Sequence, residues 1–186
     1  MQIIVEVEVE AGAYASEQYQ SRISAPRACP NCGIAQSLEA HGYYWRWVTE
    51  AGCGEVIRMA VRRFLSVLRS ETVSCLPHFA QPYRVVCNAT IEGFFEGSTE
   101  RTDVRGWSEL LGRYRRTYQQ RFGTLRMECG ALFGRSPPQE KALIFWSRIT
   151  VACGGLAATT GRLVDQLRIT LFGRYRCHQR RRICQA

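Results

Sequence analysis

Aspartate is nearly absent from this chain: two in 186 residues, Asp103 and Asp165. A two-metal nuclease centre needs three carboxylates converging on one spot. Asp103 falls where a helix begins and reads as a capping residue. Asp165 lies among arginines in an amphipathic stretch and reads as a surface ion-pair partner. The Walker loop, the G-x-S-x-G turn, the H-E-x-x-H helix and the glycine-rich dinucleotide turn are missing too. Catalysis by this chain alone is not expected. No apolar run approaches the roughly 20 residues of a membrane span. The N-terminus, MQIIVEVEVE, alternates instead of running basic and then apolar as a signal peptide does. Nine cysteines make an odd number, without the rhythm of a disulfide framework. A cytoplasmic chain with reduced thiols is expected, in which a close cysteine pair means metal more often than disulfide.

Lysine is scarcer still. Lys141 stands alone against 24 arginines, and the formal charge is +9. Arginine forks onto phosphate oxygens and stacks on bases, so the bias has a physical consequence whatever its genomic origin. The charge is unevenly placed. Residues 1–55 hold seven Glu and three Arg, net −4; residues 56–186 hold 22 Arg plus Lys and nine acids, net +13. An acidic head on a basic body points to a polyanionic partner, nucleic acid above all. A soluble protein of high isoelectric point with no such partner is the competing reading.

What is present is patterned. IIVEVEVE (3–10) alternates strictly and predicts a strand with one buried face. Residues 11–28 are polar and irregular. HGYYWRWV (41–48) and EVIRMAVRRFLSVL (55–68) flank AGCG (51–54), which predicts a hairpin. After Pro77 the character turns helical. YRVVCNATIEGFF (83–95) reads as a helix. Trp107, Leu110, Leu111, Tyr114, Tyr118, Phe122 and Leu125 follow helical spacing, with Arg113, Arg116 and Gln120 opposite. SPPQ (136–139) predicts a helix start, with Ser136 as N-cap and Gln139 closing a capping box. Gly154 and Gly155 interrupt that helix, and a fourth carries Leu156, Leu163, Val164, Leu167 and Leu171 on one face.

CPNCG (29–33) is the sharpest local signal. Two cysteines separated by two residues can place both sulfurs on one zinc, because the turn between them points both side chains inward. A redox pair normally opens a helix after a strand, which the following IAQSLEAHGYY does not suggest. Two unligated thiols in a turn remain the plain alternative.

The order of knuckle, HGYYWR, turn, IRMAVRRF and TVSCLP resembles a known family. These are the zinc-ribbon domains of bacterial insertion-sequence transposases and of transposase-associated proteins of unknown function. The residues that carry the resemblance are Cys29, Cys32 and Gly33; His41, Gly42, Tyr43, Tyr44 and Arg46; Arg62, Arg63 and Phe64; Thr72, Ser74, Leu76 and Pro77; and Pro82, Tyr83 and Arg84. They span about residues 25–85, under half of the chain. The resemblance implies a zinc ribbon completed by a second Cys-x-x-Cys. Ser66 and Arg69 stand at those positions here, and neither supplies a thiolate. Cys75 and His78 form a C-x-x-H pair nine residues further on, a Cys3His rescue with Cys29 and Cys32 that needs an odd register slip of the strand. His41 and Cys53 are further candidates for a fourth ligand.

The expectation is an α+β chain. A β-rich zinc-ribbon-like module covers 1–80, and a bundle of about four helices with a basic C-terminal tail covers 81–186. The candidate metal ligands are Cys29, Cys32, Cys75 and His78, for zinc. The candidate nucleic-acid contacts are Arg62, Arg63, Arg174, Arg176, Arg180, Arg181 and Arg182, with Tyr175 interleaved to stack on a base. A solvated terminal charge run is the competing reading of that tail. DNA is the expected partner. A protein-interaction module, or a decayed mobile-element remnant without DNA binding, is the alternative.

Overall fold

The computed structural model describes residues 1–174, with Arg174 described by its backbone alone. Four strands form one mixed sheet: β1 (Gln2–Val5), β2 (Leu38–Thr49), β3 (Val56–Ser66) and β4 (Glu71–Pro77). Their order is β1-β4-β3-β2. β2, β3 and β4 run antiparallel in succession, and β1 lies parallel to β4. α1 (Ala11–Ser16) and a 3-10 helix (Tyr19–Arg22) pack against β3. The helices follow the sheet: α2 (Asn88–Phe95), α3 (Thr102–Gly106), α4 (Ser108–Glu128), α5 (Gly130–Phe133), α6 (Ala142–Cys153) and α7 (Leu156–Leu167). A short hairpin, β5 (Ile169–Thr170) and β6 (Gly173–Arg174), closes the described chain. The fold is α+β, with sheet first and helices after.

The hairpin read from 41–68 forms, and the β2–β3 pairing runs from Thr49↔Val56 to Leu38↔Ser66. A bulge between Ala40 and Tyr43 shifts the register once; Gly42 supplies the left-handed φ of +73° there. The turn joining β2 to β3 is docked rather than free. Gly52 N–H donates to Asp103 Oδ2 at 3.0 Å, and Trp107 Nε1 donates to the Gly54 carbonyl at 2.9 Å. Gly54 combines φ +77° with a Cβ position only 3.0 Å from Asp103 Cα, so a side chain there would separate the turn from α3.

Asp103 is therefore more than the helix cap expected of it. Its side chain is fully buried. It accepts hydrogen bonds from Thr90 Oγ1 at 2.5 Å, Arg101 Nε at 3.1 Å and Arg101 Nη2 at 2.7 Å, besides Gly52. Burial would raise its pKa, but the bonds from Thr90, Arg101 and Gly52 outweigh that and hold the carboxyl below its ordinary value.

Several element boundaries differ from the sequence reading, each for a visible reason. β1 ends at Val5, opposite Pro77, where β4 itself ends. Residues 11–16, expected to be irregular, form α1. The helix foreseen from 83 begins at Asn88, because Val85 and Cys87 are tied to the sheet. Thr49 N–H donates to the Val85 carbonyl at 2.8 Å, and Cys87 N–H donates to Thr49 Oγ1 at 3.0 Å. The helix foreseen from Pro137 begins at Ala142. Arg148 takes the Ser136 hydroxyl and the Glu140 carboxylate, and Arg126 takes the carbonyls of Ser136, Pro137 and Pro138. These arginines hold the segment in one turn, closed by the Glu140 N–H on the Pro137 carbonyl at 3.0 Å, which does not continue as a helix. Leu171 lies in the β5–β6 turn and not on α7, which stops at Leu167.

Two apolar cores result. One gathers Tyr14, Val48, Met59, Val61, Leu76 and Phe79 from the sheet and α1. The other gathers Ile91, Leu111, Tyr118, Leu125, Trp146 and Phe172 from the helices. Phe95 stacks on Trp146 at 3.9 Å, with the Tyr118 ring edge-on. The cores meet where Val86 belongs to one and Cys87 to the other. α7 also lies along β1, and Thr160 donates to Gln81 Oε1 at 3.0 Å.

Replacing Asp103 by Ala leaves Arg101 and the Gly52 and Thr90 donors unmatched. Arg101 is partly exposed, so a loss of roughly 2–3 kcal/mol in urea unfolding is expected, below the usual range for a buried pair. Because the folded pKa of Asp103 lies below the ordinary 3.8, its contribution is complete above that value and disappears as pH falls through the folded one. Asp103→Asn should flatten that part of the acid-stability profile; an unchanged profile would show that the carboxylate is not the connector.

Candidate nucleic-acid interface

The knuckle folds against the turn between β3 and β4. Gly33 N–H bonds to the Cys29 carbonyl at 2.8 Å, and Gly33 takes φ +72°. Asn31 Nδ2 donates to Glu71 Oε2, and Val67 N–H donates to the Ser37 carbonyl at 3.2 Å. Arg168, just past α7, donates to the Pro30 carbonyl at 2.8 Å. Cys29 is buried and Cys32 is half-buried.

Ser66 lies beside the Cys29 sulfur. Its Oγ is buried without a hydrogen bond of full geometry, yet it is near enough to favour the thiolate. Burial pushes the Cys29 thiol up, but the backbone N–H groups of Asn31 and Cys32, together with Ser66 and the Cys32 thiol, pull it below its ordinary value. Ser66, where the resemblance would put a ligand, thus lies beside Cys29. Arg69, the second such position, sits in the exposed turn after β3.

Cys75 and His78 are not brought to this knuckle. Glu71 touches Asn31, and Cys75 is four residues further along the extended β4, about 13 Å away. Cys75 is buried between Ile3 and Arg62, and burial pushes its thiol up to about 11. His78 Nδ1 accepts the Val7 N–H at 3.4 Å and stands 3.5 Å from the Glu6 carboxylate. His41 lies exposed at the β2 bulge and Cys53 exposed in the docked turn. Among the described residues no three His, Cys, Asp or Glu side chains converge as a metal site requires. The structure thus keeps Cys75 and His78 of the expected Cys3His set apart from Cys29 and Cys32, and places a serine hydroxyl beside the Cys29 sulfur.

The arginine candidates separate. Arg62 is in register with Tyr43 and lies over the Phe64 ring at 5.5 Å, while Arg63 points to the other face of β3, towards Tyr44. Arg174 pairs with Ile169 through its backbone. Arg176, Arg180, Arg181 and Arg182, with Tyr175, lie outside the described residues.

The structure adds a feature that the sequence reading took only as β-propensity. Tyr43, Trp45 and Trp47 alternate along β2, the outer strand of the sheet, and share one face. They are 48%, 51% and 56% exposed. Tyr43 meets Trp45 edge-on at 5.6 Å, and the Arg58 guanidinium lies over the Trp45 ring at 4.6 Å. Arg58 and Arg62 pair across to Trp47 and Tyr43, so two cations border three rings. The sequence signal was the Tyr-x-Trp-x-Trp alternation, opposed by Arg-x-Ala-x-Arg across the hairpin.

On the other face of β2, the one that carries Tyr44 and Arg46, opens a cleft of about 460 Å³, lined by Gln2, Tyr44, Arg46, Tyr83, Arg84 and Val85 with Trp47 at its rim. Tyr83 is 58% exposed and holds φ +58°. Arg46 braces this wall by donating to the Gln81 carbonyl at 3.1 Å and to the Arg84 carbonyl. Arg84 donates to the Phe172 carbonyl at 2.8 Å. The lining carries two arginines and no carboxylate.

Compared with protein-family models, with curated proteins and with solved structures, the chain finds no match.

If Ser66 and Arg69 stand where thiolates once stood, the double variant Ser66→Cys, Arg69→Cys should acquire about one zinc per chain. It should hold that zinc more tightly than the wild-type chain and melt at higher temperature when loaded. Elemental analysis with a Cys29→Ser control measures it. A variant that gains neither zinc nor stability would remove the ribbon interpretation of the knuckle.

Proposed function

We propose that this chain is a non-catalytic DNA-binding protein, related to the transposase-associated proteins whose zinc ribbon it resembles, and that it meets DNA through the exposed face of the β2–β3 hairpin. The observation that carries the reading is the Tyr43, Trp45 and Trp47 strip with Arg58 packed over its middle ring. Three large rings left half in water on an ordered strand mark an interaction surface. Flanking cations and the net charge of +9 favour a polyanion. The knuckle facing Ser66 supports the ribbon resemblance. The engagement of Asp103 in four hydrogen bonds supports a chain without a carboxylate-held metal centre.

The second reading is a protein-interaction module. The same rings favour it, since tryptophan and tyrosine are enriched at protein interfaces as well.

Salt decides between them. If about four phosphates are contacted, affinity should fall about a hundredfold between ~50 and ~200 mM salt. Arg58→Ala should weaken binding on all sequences alike and lower the salt slope by about one. Fluorescence anisotropy with labelled oligonucleotides of several sequences measures both. Binding indifferent to salt, or no binding beside stable self-association in sedimentation, would favour the protein-interaction reading.

A further inference from the structure

The spacing of the rings narrows the partner. Alternate residues of a strand repeat at about 6.8 Å, twice the rise per residue. Bases in a duplex follow one another at about 3.4 Å, with their faces hidden in the stack. A ladder of rings at twice that interval cannot reach base faces inside a duplex. It matches a strand whose bases have been drawn apart, so that each ring meets a separate base.

Resting on the DNA-binding reading above, we infer that the Tyr43, Trp45 and Trp47 ladder is a stacking surface for single-stranded DNA. Two observations converge on it. The rings sit on an outer strand, so an extended chain can lie along them unobstructed by a neighbouring strand. Arg58 holds the Trp45 ring at 4.6 Å, fixing its orientation before any ligand arrives.

The test compares a labelled oligothymidine, the corresponding oligouridine, and a mixed-sequence duplex of equal length, by anisotropy and by quenching of tryptophan fluorescence. The expected order is single-stranded DNA tightest, with the duplex at least tenfold weaker and tryptophan emission quenched on binding. Trp45→Ala and Trp47→Ala should each weaken single-strand binding by about tenfold or more. Trp47→Phe, which keeps a ring, should restore most of it, while Arg113→Ala on the exposed face of α4 should leave the single-strand preference unchanged. Thermal melts check that each variant is folded; if Trp47→Ala is not, Tyr43→Ala with the Trp47→Phe variant reads the same surface. Equal affinity for duplex and single strand, or tighter binding of the RNA, would overturn this inference and leave DNA binding itself standing. Absence of binding to all three probes would remove both.

Discussion

The carboxylate of Asp103 is buried between two parts of the chain that share little else at that point. It draws in the β2–β3 turn through Gly52, α2 through Thr90, and the loop before α3 through Arg101. Isolated in the interior, that charge would cost several kcal/mol. Thr90 and Arg101 hold it paired on the helical side, and the Gly52 N–H ties the β2–β3 turn to that pair. Trp107 and Gly54 act at the same place, the indole N–H reaching the turn carbonyl and the glycine leaving room for α3 to approach. The sheet and the helices are thus held in one arrangement by a polar contact, with their apolar cores meeting at Val86 and Cys87.

That contact fixes one end of the hairpin. The other end is fixed at the knuckle, where Val67 bonds to Ser37, Asn31 bonds to Glu71, and Arg168 reaches back to Pro30. Between the two ends β2 presents its rings. A long outer strand bearing three exposed aromatic residues invites unwanted pairing with other chains. Here the bulge at His41 and Gly42 disrupts the edge near its start, and Val85 bonds to Thr49 at its end. The edge is shielded where shielding costs nothing, and the rings stay open in the middle. A structure that only needed stability would have covered them or made them polar.

Much of this was legible from residue patterns. Period-two alternation on both sides of AGCG located the hairpin, and helical spacing from Trp107 to Leu125 located α4, whose Leu111, Tyr114, Tyr118 and Leu125 are buried. What escaped was everything set by contacts distant in sequence. A capping box at Ser136 is a local signal, and it was overruled by Arg148, twelve residues on, which takes the serine hydroxyl. Residues 83–87 have helical periodicity, but their backbone is claimed by Thr49. Asp103 carries the spacing of a helix-start residue, and no local rule announces a partner as remote as Gly52. The aromatic ladder was visible as letters. Whether such rings face a core or water depends on which strand lies at the sheet edge, and strand order is not written in any one segment.

The knuckle brings these strands of reasoning together. In a zinc ribbon the metal binds the two turns of a small sheet to each other, and a ribbon too small for its own core depends on that bond. This chain has two thiols facing a serine hydroxyl instead. It also has what a bare ribbon lacks: a helical domain whose residues grip the hairpin at both ends, through Asp103 and Trp107 at the turn and Arg168 at the knuckle. Once those contacts hold the hairpin, a metal at the knuckle is no longer the sole guarantor of its shape. With Ser66 and Arg69 supplying no thiolate, the surface between the ends is still held in place by these contacts. On this view the part of the module under physical constraint is the exposed face of β2 and the contacts that present it, more than the knuckle that first draws the eye in the sequence.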